Sequence, residues 1–278
     1  MPRSALDRAR DLWAGLTGVP VTFPASGDVN VVVSPGSSLC PPGWTGVVAL
    51  DGAILATVPD AGLVEPVRSA LLDLGHAGLA EPVPSAPLDL GDAGLARLPA
   101  RLPVLDVLGP ATLAYLDAGD FVATPATAPA TAPATAPAAA GVAAGVAAGV
   151  AAGVAAGVER LAADHPAIRA LLASAPEEEA DESGLEEIAS AAYAVRERGD
   201  VLAAAGFRPW LDTAAHVSVL TAPRCRGRGL ARLAASAAVA DALALGLLPQ
   251  WRARPEPSRR VARALGFREH GAQISIRL

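Results

Sequence analysis

The sequence predicts a mixed α/β (α+β) protein in which a mostly antiparallel sheet is flanked by helices. Three observations predict it. From Ala192 onward the pattern runs strand, strand, strand, loop, helix, strand, helix, strand. Near the N-terminus, β-branched runs recur between Pro, Gly and Ser. Between the two regions complexity collapses, which divides the chain into an N-terminal α/β region (1–122), a low-complexity Ala/Pro/Thr/Gly/Val linker (123–158) and a C-terminal domain (159–278).

The N-terminal elements follow in order. Met1 to Trp13 mixes Arg3, Arg8 and Arg10 with acids, lacks an apolar run of signal-peptide length, and is expected to form an amphipathic helix. Val29–Val33 and Gly46–Leu50 are expected as strands, with Asp51-Gly52 turning the second into Ala53–Val58. A 16-residue repeat then reads DAGLVEPVRSALLDLG at 60–75 and HAGLAEPVPSAPLDLG at 76–91. Pro84 and Pro87 would interrupt a helix that the first copy can form. So few copies build no solenoid, and the pair is expected as a duplication in a surface excursion. Leu105–Leu116 is expected to be a short helix. Thr127–Ala138 repeats TAPA and Ala139–Val158 repeats AAGV. Proline bars helix from the first, and each recurring glycine costs the second ~1 kcal/mol relative to alanine.

The C-terminal region is more regular. Asp164 is the expected cap and Pro166 the first turn of a helix that turns Ile168, Leu171 and Leu172 inward. Glu177–Glu187 is acidic. Ala192–Arg196 and Val201–Trp210 should form a hairpin, His216–Leu220 a third strand and Pro223–Arg228 a loop. Gly229–Leu245 is expected as a helix closed by Gly246. Leu248–Arg252 is a strand, Pro257–Leu265 a helix ended by Gly266, and Phe267–Leu278 a last strand or hairpin.

Bulk properties exclude several function classes. All 22 basic residues are arginine, which removes P-loop, Schiff-base and general-base lysines. Cys40 and Cys225 make neither a disulfide framework nor a zinc site. No bulky apolar run approaches the about 20 residues of a membrane span, and a soluble cytoplasmic protein without a membrane partner is expected. The net charge of −6 is lopsided: residues 224–278 hold 11 arginines against three acids. A basic segment on an acidic chain points to an anionic ligand, either a phosphorylated cofactor or nucleic acid.

Arg224-Cys225-Arg226-Gly227-Arg228-Gly229 opens the long C-terminal helix. A helix start offers unpaired N–H groups and partial positive charge. Gly227 and Gly229 let a phosphate approach those amides, and three arginines surround the same point. A Rossmann fingerprint would need Gly or Ala where Arg232 stands and an acid at the end of the next strand, where Gln250 and Trp251 sit. The chain also lacks a helix-turn-helix or zinc pattern, so nucleic acid is the lesser expectation.

These residues resemble the GNAT (GCN5-related) N-acetyltransferase superfamily, whose signature R/Q-x-x-G-x-G/A falls on Arg224, Gly227 and Gly229, followed by Leu230 and Ala231. Val217-Ser218-Val219-Leu220-Thr221 and Pro223 match the approach to that loop. Ser258 to Phe267 resembles the second cofactor-side helix with its Leu-Gly-Phe ending. The resemblance implies acetyl-CoA as acyl donor and direct attack by an amine of a small molecule or peptide. It implies that Val219, Leu220 and Thr221 line the pantetheine arm, with backbone pairing from Val219 and Thr221. The acetyl carbonyl would be polarised by a strand amide near Val219. The amides from Arg226 through Gly227, Arg228 and Gly229 to Leu230 would take the pyrophosphate, with Arg224 adding charge and Ser258 bonding from the far side. Two positions depart from the family pattern: Ala262 replaces the usual Tyr acid, and Pro255 an Asn. His216 and Glu187 are the candidate catalytic groups, with Asp212 and Glu186 behind them. An acyl-CoA-binding sensor without turnover and an Arg-rich nucleic-acid-binding domain are the alternatives.

Overall fold

The computed structural model describes residues 3–76, 102–124 and 157–278. The second repeat copy, apart from His76, and nearly all of the linker lie outside the described residues. Strands are β1 (Val29–Val33), β2 (Thr45–Leu50), β3 (Ala53–Val58), β4 (Asp106–Tyr115), β5 (Val158–Leu161), β6 (Ala192–Glu197), β7 (Asp200–Trp210), β8 (Ala214–Thr221), β9 (Leu248–Ala253) and β10 (Arg268–Arg277). Helices are α1 (Ala5–Leu16), α2 (Val64–His76), α3 (Pro166–Ala173), α4 (Glu177–Ser183), α5 (Leu230–Ala244) and α6 (Glu256–Ala264). This is the mixed, mostly antiparallel α/β class that the sequence predicts.

Two compact units form, and they cut across the sequence order. The first holds Met1–Tyr115, Arg252–Glu256 and Glu269–Leu278; the second holds Leu116–Trp251 and Pro257–Arg268. The C-terminal strand therefore belongs largely with the N-terminal region.

In the first unit the strand order is β1-β3-β2-β10-β4. β1 runs parallel to β3, while β2 pairs antiparallel with both β3 and β10. The Asp51-Gly52 hairpin forms as expected. Ser4 caps α1, its Oγ accepting from the Asp7 N–H at 3.1 Å. Two expectations fail here. Residues 105–116 are not a helix but contain β4: Pro110 at the centre supplies no N–H to a helix, and Gly109 adopts φ +112°. A Cβ on Gly109 would stand 3.0 Å from the Gln273 carbonyl oxygen, so the bare glycine permits the close approach to β10. The first repeat copy is no surface excursion either. It forms α2, and Val67, Ala70 and Leu71, at helical spacing, pack with Val31, Val47, Ile54 and Ile274 in the core.

In the second unit the order is β9-β8-β7-β6-β5, antiparallel except for the parallel β8–β9 pair. α5 packs against β6, β7 and β8. Its run Ala234 to Ala240, which includes Val239, is buried, and alanine lets the helix lie close to the sheet. α3 and the turn after α4 cover the opposite face, where Ile168, Leu171, Leu185 and Ile188 meet Leu202, Ala204 and Leu220. Pro166 opens α3 as expected, but the cap is His165, whose Nδ1 accepts from the Ala167 N–H at 3.1 Å; Asp164 is not the cap. No helix among the described residues is long and apolar enough to cross a membrane.

Candidate active site

β8 carries the site. It is registered against β7 along its whole length, from Ala214–Trp210 to Thr221–Ala203. Against β9 the ladder covers only Ala214–Leu248, Ala215–Pro249 and His216–Gln250. Past His216 the β8–β9 register ends, leaving a fork along Val217–Thr221. Alternation places His216, Ser218 and Leu220 on the α3/α4 face, as the packing of Leu220 shows, and Val217, Val219 and Thr221 on the α5 face. Val219 and Thr221 are half-buried, whereas Ser218 and Leu220 are buried.

The strand feeds a short 3-10 turn, Pro223–Cys225, and then α5. Gly229 is the N-cap of α5 at φ +77° and provides no capping side chain; no acid sits in the first turn. Gly227 has φ +76°. A Cβ on either glycine would meet nothing within 4 Å. The helix start is thus open, with its partial positive charge unmatched by a cap. These features fit a phosphate-bearing cofactor.

The loop arginines are not bare. Arg224 faces Asp200 at 3.5 Å, Arg228 faces Glu197 at 3.0 Å, and Arg226 is paired with Glu179 of α4. The Glu197 carboxylate raises the already high pKa of Arg228 through its hydrogen bond and charge. All three pairs are largely exposed, so each contributes little to stability, and an arriving phosphate can exchange for the carboxylates. Ser258, in the first turn of α6, accepts from Trp251 Nε1 at 3.0 Å; its own hydroxyl proton remains available to a ligand. Ala262 is buried at 2% exposure, inside the packing of α6 and unable to offer a proton.

The two sequence-selected catalytic candidates share one face. Arg208 lies opposite His216 across β7 and β8, and its guanidinium holds Glu187 at 2.6 Å. His216 also stacks on Trp210. Asp212 is exposed in the β7–β8 turn at φ +52°. Sequence reasoning misses Arg208, reads Trp210 as core, and meets Gln250 only where a Rossmann strand would end in an acid. A glutamine between Pro249 and Trp251 is the one local signal for Gln250. Cys225 is buried. Among the described residues no cluster of His, Cys, Asp and Glu can hold a metal.

The second unit thus joins a forked pair of parallel strands to a glycine-opened helix start. Residues 191–273 match the family model described as GNAT acetyltransferase, the family that the sequence of this C-terminal part resembles. The chain is similar to solved structures of a GNAT-family protein from Novosphingobium aromaticivorans (24% identity, 62% of this chain, 65% of that chain, TM-score 0.41) and of a GCN5-related N-acetyltransferase from Kribbella flavida (20%, 66%, 63%, 0.43). A GNAT-family acetyltransferase from Colwellia psychrerythraea is 12% identical over 79% of this chain and 74% of that one, with TM-score 0.43. The chain thus spans less than two thirds of the length of each of the first two. No curated protein matches it.

Proposed function

We propose that the protein is an acetyl-CoA-dependent N-acyltransferase that moves an acetyl group to an amine by direct attack. The observation that carries this reading is the fork: β8 leaves β9 after His216, and the freed strand leads into the open glycines at the start of α5. A donor laid along Val219–Thr221 gains backbone hydrogen bonds like an added strand. Its pyrophosphate meets the amides of Arg226–Leu230, and its thioester reaches the closed end of the fork, near His216. There the amine nitrogen forms the new C–N bond, the C–S bond breaks, one N–H proton leaves the nitrogen, and the sulfur leaves as thiolate and is protonated to the thiol. His216 is the group placed to take the proton, directly or through water. The acceptor is a small-molecule or peptide amine.

The buried Ala262 favours a second reading, an acyl-CoA-binding module without turnover, since α6 supplies no phenol to protonate the thiolate. Thiol release measured beside binding separates the two, because water can serve as the acid only if release occurs.

The test of the site is an acetyl-CoA thermal-shift assay on wild type and Gly227→Trp, with circular dichroism as the check on folding. The indole would fill the space now open to phosphate. Stabilisation of the wild type with little or none in the variant is expected; equal shifts would discard the assigned loop.

A further inference from the structure

Gln250 is the last residue of β9 registered against β8, opposite His216 at the closed end of the fork. Its side chain is 0% exposed, and neither its Oε1 nor its Nε2 has a hydrogen-bond partner. A buried carboxamide with both ends unsatisfied is less stable than an apolar side chain of the same size would be. The neighbouring residues avoid that cost. Trp251, on the other face, donates to Ser258, and the Pro249 carbonyl accepts from the Leu116 N–H at 3.3 Å. The unsatisfied amide sits where the two strands part.

The chemistry of the side chain limits what can complete it. A neutral amide cannot offset the desolvation of a buried carboxylate or ammonium as an opposite charge would. It suits a neutral carbonyl, to which Nε2 donates, and a neutral N–H, which Oε1 accepts. At the closed end of the fork the proposed reaction brings together one of each: the thioester carbonyl of the donor and the uncharged amine of the acceptor. A donor hydrogen bond to that carbonyl strengthens as its oxygen gains negative charge during attack.

We infer that Gln250 reads the acyl group, its Nε2–H donating to the thioester carbonyl of the acyl donor. This inference rests on the acyltransferase reading above. It implies that the protein distinguishes acetyl-CoA from free CoA, which has the same nucleotide and pantetheine arm but no carbonyl at the fork.

The test is isothermal titration of wild type and Gln250→Met with acetyl-CoA and with CoA, together with a melting curve of each protein. Met keeps the volume and removes both polar ends. The variant should melt at the same temperature as wild type or higher, because an unsatisfied group is gone. It should bind CoA within about twofold of wild type and acetyl-CoA at least about fivefold more weakly. Gln250→Asn keeps the carboxamide but withdraws it by one methylene; it covers the case in which Met does not fold and should show the same selective loss. An unchanged acetyl-CoA to CoA preference in the folded variant overturns the role of Gln250 alone. Wild type that binds neither molecule overturns the donor reading and this inference with it.

Discussion

His216 of β8 stacks on Trp210 at the end of β7, with ring centroids 4.5 Å apart and planes 16° from parallel. The same indole lies 5.9 Å from the Arg208 guanidinium carbon, and Arg208 in turn holds Glu187. One row of side chains on one sheet face thus links two residues that sequence reasoning selected separately. The indole fixes the plane of the imidazole and therefore the direction in which its nitrogens point.

If His216 takes the proton of the amine, His216→Ala lowers kcat by about a hundredfold or more and flattens the acid limb of the pH–rate profile. Trp210→Ala keeps the imidazole but frees its orientation, so a smaller fall in kcat, about tenfold, is expected with the KM for acetyl-CoA unchanged. Steady-state kinetics over a pH series decides. A wild-type pH profile in His216→Ala removes the histidine from the mechanism.

The loop arginines exchange carboxylate partners for phosphate in the proposed complex. Arg226→Ala and Arg228→Ala should each weaken acetyl-CoA binding by about three- to tenfold at low salt, with the loss shrinking as salt rises. Titration calorimetry at two ionic strengths measures this. Glu179→Gln removes the competitor of Arg226 and should shift affinity the other way.

Gly266 ends α6 at φ +96°. A Cβ there would lie 2.0 Å from the Asp120 carbonyl oxygen, beside the Val122 N–H to Leu265 carbonyl bond at 3.0 Å. Gly266→Ala meets both a backbone clash and an unfavourable φ. A loss of at least about 2 kcal/mol in urea unfolding is expected. Gly227→Ala, where a Cβ meets nothing, should cost less.

Burial holds the Tyr193 phenol protonated, with the Asp241 carboxylate adding to the effect, and pushes its pKa up to about 12 from 10.0. The folded state keeps the proton longer than the unfolded state does. This contribution to stability is therefore complete below pH 10 and is lost as the pH rises through 12. Phenolate absorbance of wild type and Tyr193→Phe should show the late titration only in wild type. Denaturation between pH 9 and 12 should be less steep in the variant.

Much of the second unit is legible in the sequence. Its strands alternate or run apolar, its helices carry helical spacing, and Gly246 and Gly266 punctuate them. These are local signals, and boundaries from β6 to α6 fall within one or two residues of expectation. The short helix expected at Leu105–Leu116 failed because apolar spacing there suits either element, and Pro110 with the pairing beside β10 decided for strand. Likeness to the proline-broken second copy points the first copy to the surface, whereas its own apolar spacing, Val67, Ala70 and Leu71, describes a core helix.

By itself the sequence determined the α/β class, the order of elements in the C-terminal region and the anion-binding character of Arg224–Gly229, because periodicity, glycine and charge act over a few residues. Only the tertiary structure decided that β10 packs with the N-terminal strands, that each loop arginine has a carboxylate partner, and that β8 leaves β9 at His216 and Gln250. Those outcomes depend on residues far apart in the chain meeting across a sheet. Burial and hydrogen-bond satisfaction, which left Gln250 without partners, exist only after that meeting.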